Sequence, residues 1–362
     1  MEKNELLCIG NPIVDVFVNI DEKLAARYGI HDPAQHIDHD IAEMLLYECA
    51  ANFKRAKKSS GGGAANTAKI AAMLGMKTVF AGCAGHDEAA EFFEKEMTHA
   101  GVALMLKKSG KKTGLCFACN VENQTARLNE LRYAANPGAA LELSEADISG
   151  EMIGSAEVIV LDGYILDRRP LVQHVLLKAS KRGIPVALDV ASVIQVKKKA
   201  EEILTYSRTF PMIIFMNADE AIAFHNTIRK VNDDDTLYSE KDKESFILRD
   251  VSPMLRIITD GEIFPVIVVK LGGRGAVIFA GGNVYHEETF TVVPRNIVGA
   301  GDAFCAAFIS AWIRGKSLSE CAVLGNKVAR EILEVPGTKI KSWKLTTFAK
   351  TLKQAGEKNQ LK

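Results

Sequence analysis

The sequence predicts an α/β protein: a doubly wound, mostly parallel central sheet flanked by helices, with a small β-sheet lid. Three observations predict it. Short apolar, β-branched runs alternate with amphipathic stretches along most of the 362 residues, the order that builds parallel strands joined by helical crossovers. Runs such as 158–161 (VIVL) are apolar without interruption, as expected of strands buried on both faces. Two regions, 12–60 and 113–134, break the rhythm with strand-like or irregular polar sequence.

Strands of the central sheet are expected over 6–9, 78–84, 158–161, 185–190, 212–216 and 266–271, with helices over 64–74, 88–100, 171–182, 218–224 and 303–314. The lid would combine a strand at 13–20 with two antiparallel strands around the turn-like Glu122-Asn123-Gln124. The segment 226–262 carries Asp233-Asp234-Asp235 and Glu240-Lys241-Asp242-Lys243-Glu244 and reads as a solvated helical insertion. No repeat or linker divides the chain, so residues 1–362 read as a single domain.

Composition narrows the partners. Lys+Arg 45 equals Asp+Glu 45, so no bulk positive field drives binding to nucleic acid or an anionic membrane. An anionic ligand would need a local device. A hydrophobic content of 48% with no net charge excludes global disorder. Seven scattered cysteines read as reduced thiols in a cytoplasmic protein. The lone Cys116-x-x-Cys119 lies in a strand-like run, where residues three apart face opposite ways. No second Cys/His pair accompanies it, so zinc is not expected. The charged N-terminus fits no signal peptide, and no apolar run reaches the ~20 residues of a membrane span.

Chemistry concentrates in a few glycine-rich places. Gly299-Ala300-Gly301-Asp302 opens directly into an apolar helix; small residues there let backbone amides converge on an anion at the helix N-terminus. Asp302 either offsets the helix dipole or acts as a general base beside a phosphate pocket. A second cluster, Gly61-Gly62-Gly63, precedes Asn66. It is either a flexible entry to an Ala-rich helix or a close approach for a ligand, with Asn66 offering a donor and an acceptor to a sugar hydroxyl. Asp15 sits among Val14, Val16 and Phe17, where an unpaired carboxylate is costly, so a hydroxyl or cationic partner is expected. Asn217 and Glu220 follow an apolar strand and form either a capping box or an oxygen pair for Mg²⁺ waters. No G-x-x-x-x-G-K-[ST] occurs, and Phe304 stands where the third glycine of a dinucleotide motif would be, which argues against a Walker-type fold and a dehydrogenase.

Taken together, Gly61-Gly62-x-x-x-Asn66, Asn217-x-x-Glu220 and Gly299-Ala300-Gly301-Asp302 resemble the signatures of the ribokinase-like (PfkB) carbohydrate kinases, and the resemblance spans about Gly10 to Gly337. It implies that Asp302 is the catalytic base and that Gly299, Ala300, Gly301 and Asp302 form the anion hole. It further implies that Asp15, Gly61, Gly62 and Asn66 hold the sugar, and that Asn217 and Glu220 organise Mg²⁺ through water. Gly272, Gly275 and Asn326 would lie on the ATP side. The opening Gly10-Asn11-Pro12 is similar to that of adenosine kinases within the family. Asn296 and Ile297 depart from the family's D-T-x-G-A-G-D, removing a carboxylate and a hydroxyl near the loop. The resemblance implies ATP-dependent phosphorylation of a primary hydroxyl, with adenosine the first candidate substrate. The alternatives are a ribose- or fructose-type sugar kinase, or a non-catalytic sugar- or nucleotide-binding regulator on the same fold. It implies a monomer or homodimer using small-molecule substrates, without nucleic-acid or membrane partners.

Overall fold

The computed structural model describes the chain except for residues 1–2, 33, 53–55, 124–127, 232–238, 262, 264, 293–297, 335–347 and 349–362. In chain order its strands are β1 Asn4–Ile9, β2 Ile13–Asp21, β3 Ala34–His36, β4 Lys57–Gly61, β5 Thr78–Ala84, β6 Ala103–Lys108, β7 Thr113–Asn123, β8 Leu128–Gly138, β9 Ala156–Asp162, β10 Val186–Asp189, β11 Met212–Asn217, β12 Val266–Lys270, β13 Ala276–Ala280 and β14 Asn283–Glu287. Nine of them form one sheet in the order β14-β13-β12-β11-β10-β9-β1-β5-β6. From β12 to β6 every neighbour is parallel, and β13–β14 closes one edge as an antiparallel hairpin. The remaining five form a second sheet, β3-β8-β7-β2-β4.

Both faces of the large sheet are covered, and the strands show it with a period of two. Leu6, Cys8, Val158 and Val160 enter one core, shared with the helices Gly63–Met73, Ala300–Ile313 and Leu318–Leu333 and with the small sheet. Leu7, Ile9, Ile159 and Leu161 enter the other, against the helices Arg169–Ser180, Val193–Thr209 and Ala218–Arg229. Helix starts carry side-chain caps. Asp87 accepts from Ala90 N–H at 2.8 Å, Ser192 accepts from Gln195 N–H at 3.2 Å, and Ser317 forms a capping box with Glu320, each satisfying an otherwise orphaned donor.

The small sheet is built from the segments expected to break the rhythm, with a pairing more entwined than a simple flap. β2 is its hub, running parallel to β7 and antiparallel to β4, while β7 and β8 pair antiparallel from Thr113↔Gly138 to Asn123↔Leu128. The chain passes between the sheets at residues 10–12, 62, 109–112 and just after Gly138, so the sheets are joined by several short crossings.

The charged segment 226–262 is helical over most of its described residues, with one face packed on the sheet. The helix Ala218–Arg229 reaches into it, and Glu240–Phe246, a wide turn Ile247–Val251 and the helix Ser252–Thr259 follow. Ile247, Val251, Met254, Leu255 and Ile258 are buried in the second core. Beneath the surface charges runs a spacing of three or four, which places one apolar face on the sheet. Asp233-Asp234-Asp235 lies outside the described residues.

Candidate active site

The sheet reverses its winding beside β1: the chain builds β5 and β6 on one side and β9 to β12 on the other. At such a switch point the crossovers diverge, leaving a crevice beyond the carboxyl ends of the strands. Four adjacent strands each end there in a polar residue: Asp162 on β9, Asp189 on β10, Asn217 on β11 and Lys270 on β12. The sequence reading missed Asp162, Asp189 and Lys270. The available signal was a polar residue closing each apolar run.

The helix Ala300–Ile313 delivers Asp302 to this crevice. Its buried face runs from Ala303 to Ala311, and Phe304 and Phe308 pack on Phe215 of β11 with ring centroids 6.4 and 5.3 Å away. Such edge contacts contribute about 0.5–1.5 kcal/mol each beyond burial and hold the helix start over the strand ends. Gly299, at φ 82°, is the N-cap, and Ala300, Gly301 and Asp302 form the first turn. The Asp302 carboxylate accepts from Asn66 Nδ2 at 2.9 Å, and Thr67 Oγ1 donates to the Asp302 carbonyl at 3.5 Å. The two helix starts singled out in the sequence therefore meet. Burial pushes the Asp302 carboxyl up to about 7, Asp189 adding to the rise while Asn66 and Lys270 oppose it.

Asp15 lies on β2, and burial pushes its carboxyl up to about 7 against the opposing charge of Lys69. Lys69 in turn donates to Ser60 O at 2.9 Å and Ser60 Oγ at 3.0 Å. Gly61 faces Asp15 so closely that a Cβ would lie 2.1 Å from Asp15 Oδ2; only glycine leaves that carboxylate open. Gly62, at φ 96°, is the N-cap of the helix carrying Asn66. Asn66 Oδ1 is a buried acceptor with no partner among the described residues, whereas the Asp162 carboxylate is held by the backbone amides of Ala64, Tyr164 and Asn11.

Charged neighbours brace this floor. Asp162 Oδ2 accepts from Ala64 N–H at 3.4 Å, and Arg168 Nη2 donates to Asn11 Oδ1 at 2.6 Å. Burial raises the Asp162 carboxyl, with Arg168 opposing. Lys270 Nζ lies 2.7 Å from Asp189 Oδ2, which also accepts from Cys305 Sγ at 3.0 Å. Burial alone would raise Asp189, but the Lys270 charge and the hydrogen bonds from Lys270, Cys305 and Ala191 together outweigh it and the carboxyl is lowered. Ala191 N–H donates to Asp189 Oδ1 at 3.3 Å from a backbone at φ 72°. Tyr164 follows Asp162 with 43% of its surface exposed. On β8, burial pushes the Tyr133 phenol up to about 12, with contributions from Cys116 and Asp15, so an aromatic edge stands near Asp15 as well.

Asn217 and Glu220 do form the capping box: Glu220 N–H donates to Asn217 Oδ1 at 2.9 Å and Asn217 N–H to Glu220 Oε2 at 2.7 Å. Burial and Asp189 raise the Glu220 carboxyl to about 7, with Lys270 opposing, so Glu220 feels the same charges as Asp302. Gly275 and Asn326 converge elsewhere, on the Glu287 carbonyl. Asn326 Nδ2 donates to it at 3.3 Å, and a Cβ on Gly275 would meet it at 2.0 Å. Gly272 lies in the same turn, Gly272–Arg274, which Glu244 reaches through Arg274 Nε at 2.6 Å. Asn296 and Ile297 lie outside the described residues. Among the described residues no group of three or more His, Cys, Asp or Glu is placed to hold a metal, and no helix is long and apolar enough to cross a membrane.

Comparison with known proteins agrees with this architecture. An adenosine kinase of Schizophyllum commune is 25% identical over 362 aligned residues, covering 94% of this chain and 98% of the relative. A 5-dehydro-2-deoxygluconokinase of Bacillus subtilis is 23% identical, covering 75% and 80%. The crystal structure of adenosine kinase from Sinorhizobium meliloti superposes with a TM-score of 0.77 at 24% identity, covering 98% of this chain and 99% of that one, and so shares the fold. The pattern of the pfkB family carbohydrate kinases matches residues 34–345. With that match over most of its length, the chain belongs to the pfkB carbohydrate kinase family and is a kinase of ribokinase-like fold.

Proposed function

We propose that this kinase transfers the γ-phosphoryl group of ATP to the 5′-hydroxyl of adenosine, yielding AMP and ADP. The observation that carries the phosphoryl-transfer site is Asp302, held by Asn66 at 2.9 Å on the first turn of the helix that Gly299 opens. Asp302 takes the proton of the attacking hydroxyl. The amides of Gly299, Ala300, Gly301 and Asp302 face the charge that develops on the phosphoryl oxygens. Asp15, left open by Gly61, accepts the ribose hydroxyls together with Asn66 and the backbone at Gly62. Gly272, Gly275 and Asn326 border the ATP side. The small sheet, with segments 12–60 and 113–134, acts as the lid of a single kinase domain and excludes water when closed.

Magnesium fits the donors present. Asn217 and Glu220 offer a carboxamide oxygen and a carboxylate, partly committed to capping one another, and without a three-acid cluster they would hold the ion through water and the nucleotide's phosphates. When bound, Mg²⁺ neutralises phosphate charge.

Adenosine is favoured by the full-length relationship to adenosine kinases. A sugar substrate is the second reading, favoured by the 5-dehydro-2-deoxygluconokinase relative. ADP release measured with adenosine, other nucleosides, ribose and fructose decides between them. Adenosine is expected to give the highest kcat/KM by at least about tenfold, the discrimination of one well-made hydrogen-bonding contact. A faster reaction with ribose or fructose overturns the assignment.

A further inference from the structure

We propose that Lys270 is a further catalytic residue, whose ammonium contacts the phosphoryl group in transfer. Lys270 is the last residue of β12. Its Nζ lies 3.3 Å from the point a Cβ on Gly301 would occupy, so the ammonium rests against the first turn of the helix that carries Asp302. Only 14% of the side chain is exposed. One N–H is directed at Asp189 Oδ2 at 2.7 Å and another at Cys305 Sγ at 3.8 Å; among the described residues the third has no acceptor.

The surroundings explain why a cation is needed there. Asp189, Glu220 and Asp302 share this end of the sheet, and each feels Lys270. A triphosphate would bring several more negative charges into a site already rich in carboxylates. Backbone amides supply partial charges only, whereas Lys270 is a full charge already desolvated and aimed. A preorganised group of this kind loses little to rearrangement as charge shifts in the transition state. In the step itself the bond from the γ-phosphorus to the β,γ-bridging oxygen breaks and the bond to the 5′-oxygen forms. The hydroxyl proton passes to Asp302. Lys270 keeps its protons and donates a hydrogen bond to a non-bridging oxygen. Asp189, itself held by Ala191 N–H, is the positioning residue that aims the ammonium.

The competing explanation is that Lys270 merely neutralises Asp189. Three variants separate the two. Lys270→Met is expected to lower kcat by about 10²–10³, the loss for one transition-state donor, with the KM for adenosine changed less than about threefold; Lys270→Arg should recover part of kcat. Lys270→Met leaves Asp189 without its cation, so the double variant Asp189→Asn/Lys270→Met carries the decision even if the single variant does not fold. If Lys270 acts on the phosphoryl group, the double variant stays as slow as the single one. Recovery to within about fivefold of wild type would show that Lys270 only balances Asp189 and would overturn the proposal, as would an undiminished kcat in Lys270→Met. The inference rests on the phosphoryl-transfer reading of Gly299–Asp302, so calorimetric titration with MgATP alone is run in parallel. A roughly tenfold weaker Kd in both Met variants supports a contact with the transferred group whichever acceptor the enzyme uses, and an unchanged Kd together with an unchanged kcat removes it.

Discussion

Asp302 has two properties that pull against each other. A general base must be deprotonated to work, yet burial and Asp189 raise its carboxyl to about 7. In the free enzyme kcat/KM should therefore climb with pH up to about 7 and level off above, while Asp302→Asn lowers it by roughly 10²–10⁴ on that plateau and flattens the profile. A flat wild-type pH profile between 5 and 8 would contradict the assignment. The same group makes a statement about stability. Its folded pKa stands above the ~3.9 of an unfolded chain, so its contribution is fully present below about pH 4 and is lost as pH rises through 7. Asp302→Asn should accordingly raise Tm relative to wild type at pH 8 and leave it nearly unchanged at pH 4. A lower Tm at pH 8 would mean that the carboxylate is better partnered than its surroundings indicate.

At the level of elements, the stretch 247–259 shows how charge can mask packing. Leu255 is fully buried, and Leu255→Ala should cost about 2–5 kcal/mol in denaturant unfolding; a loss under ~0.5 kcal/mol would return the segment to the status of a surface insertion. This stretch also marks the limit of what the sequence made legible. Central strands such as β9 and helices such as Gly63–Met73 were readable because each carries its own period. The parallel pairing of β2 with β7 was not, since partners such as Asp15 and Cys116 are joined by no local signal. The β13–β14 hairpin went unread because its outer strand is largely exposed and lacks an apolar run. At the site, Gly61–Gly62 and Gly299–Asp302 announce themselves through local backbone requirements. Asp162, Asp189 and Lys270 do not, because only the register of neighbouring strands brings them together.

Across the whole molecule, the two sheets meet over the crevice where Asp15 of the small sheet and the strand ends of the large one lie. Ligands that bridge them should stabilise the fold as a unit: adenosine at 100 times its Kd is expected to add about 2.7 kcal/mol to unfolding, seen as one shifted transition rather than two. A second transition left unmoved by the ligand would show the sheets unfolding separately. The strand order has one more consequence, for the chain as it is made. β1 occupies an inner position, pairing with β5 at Leu6↔Thr78 and with β9 at Asn4↔Ala156, so its second neighbour is synthesised about 150 residues after it. At about 5–20 residues per second, Leu6–Ile9 waits roughly 8–30 seconds on the ribosome before the sheet can close around it. For that interval a strand that is buried along Leu6–Ile9 in the finished enzyme is an adhesive edge, and the yield of active protein should depend on what shields it.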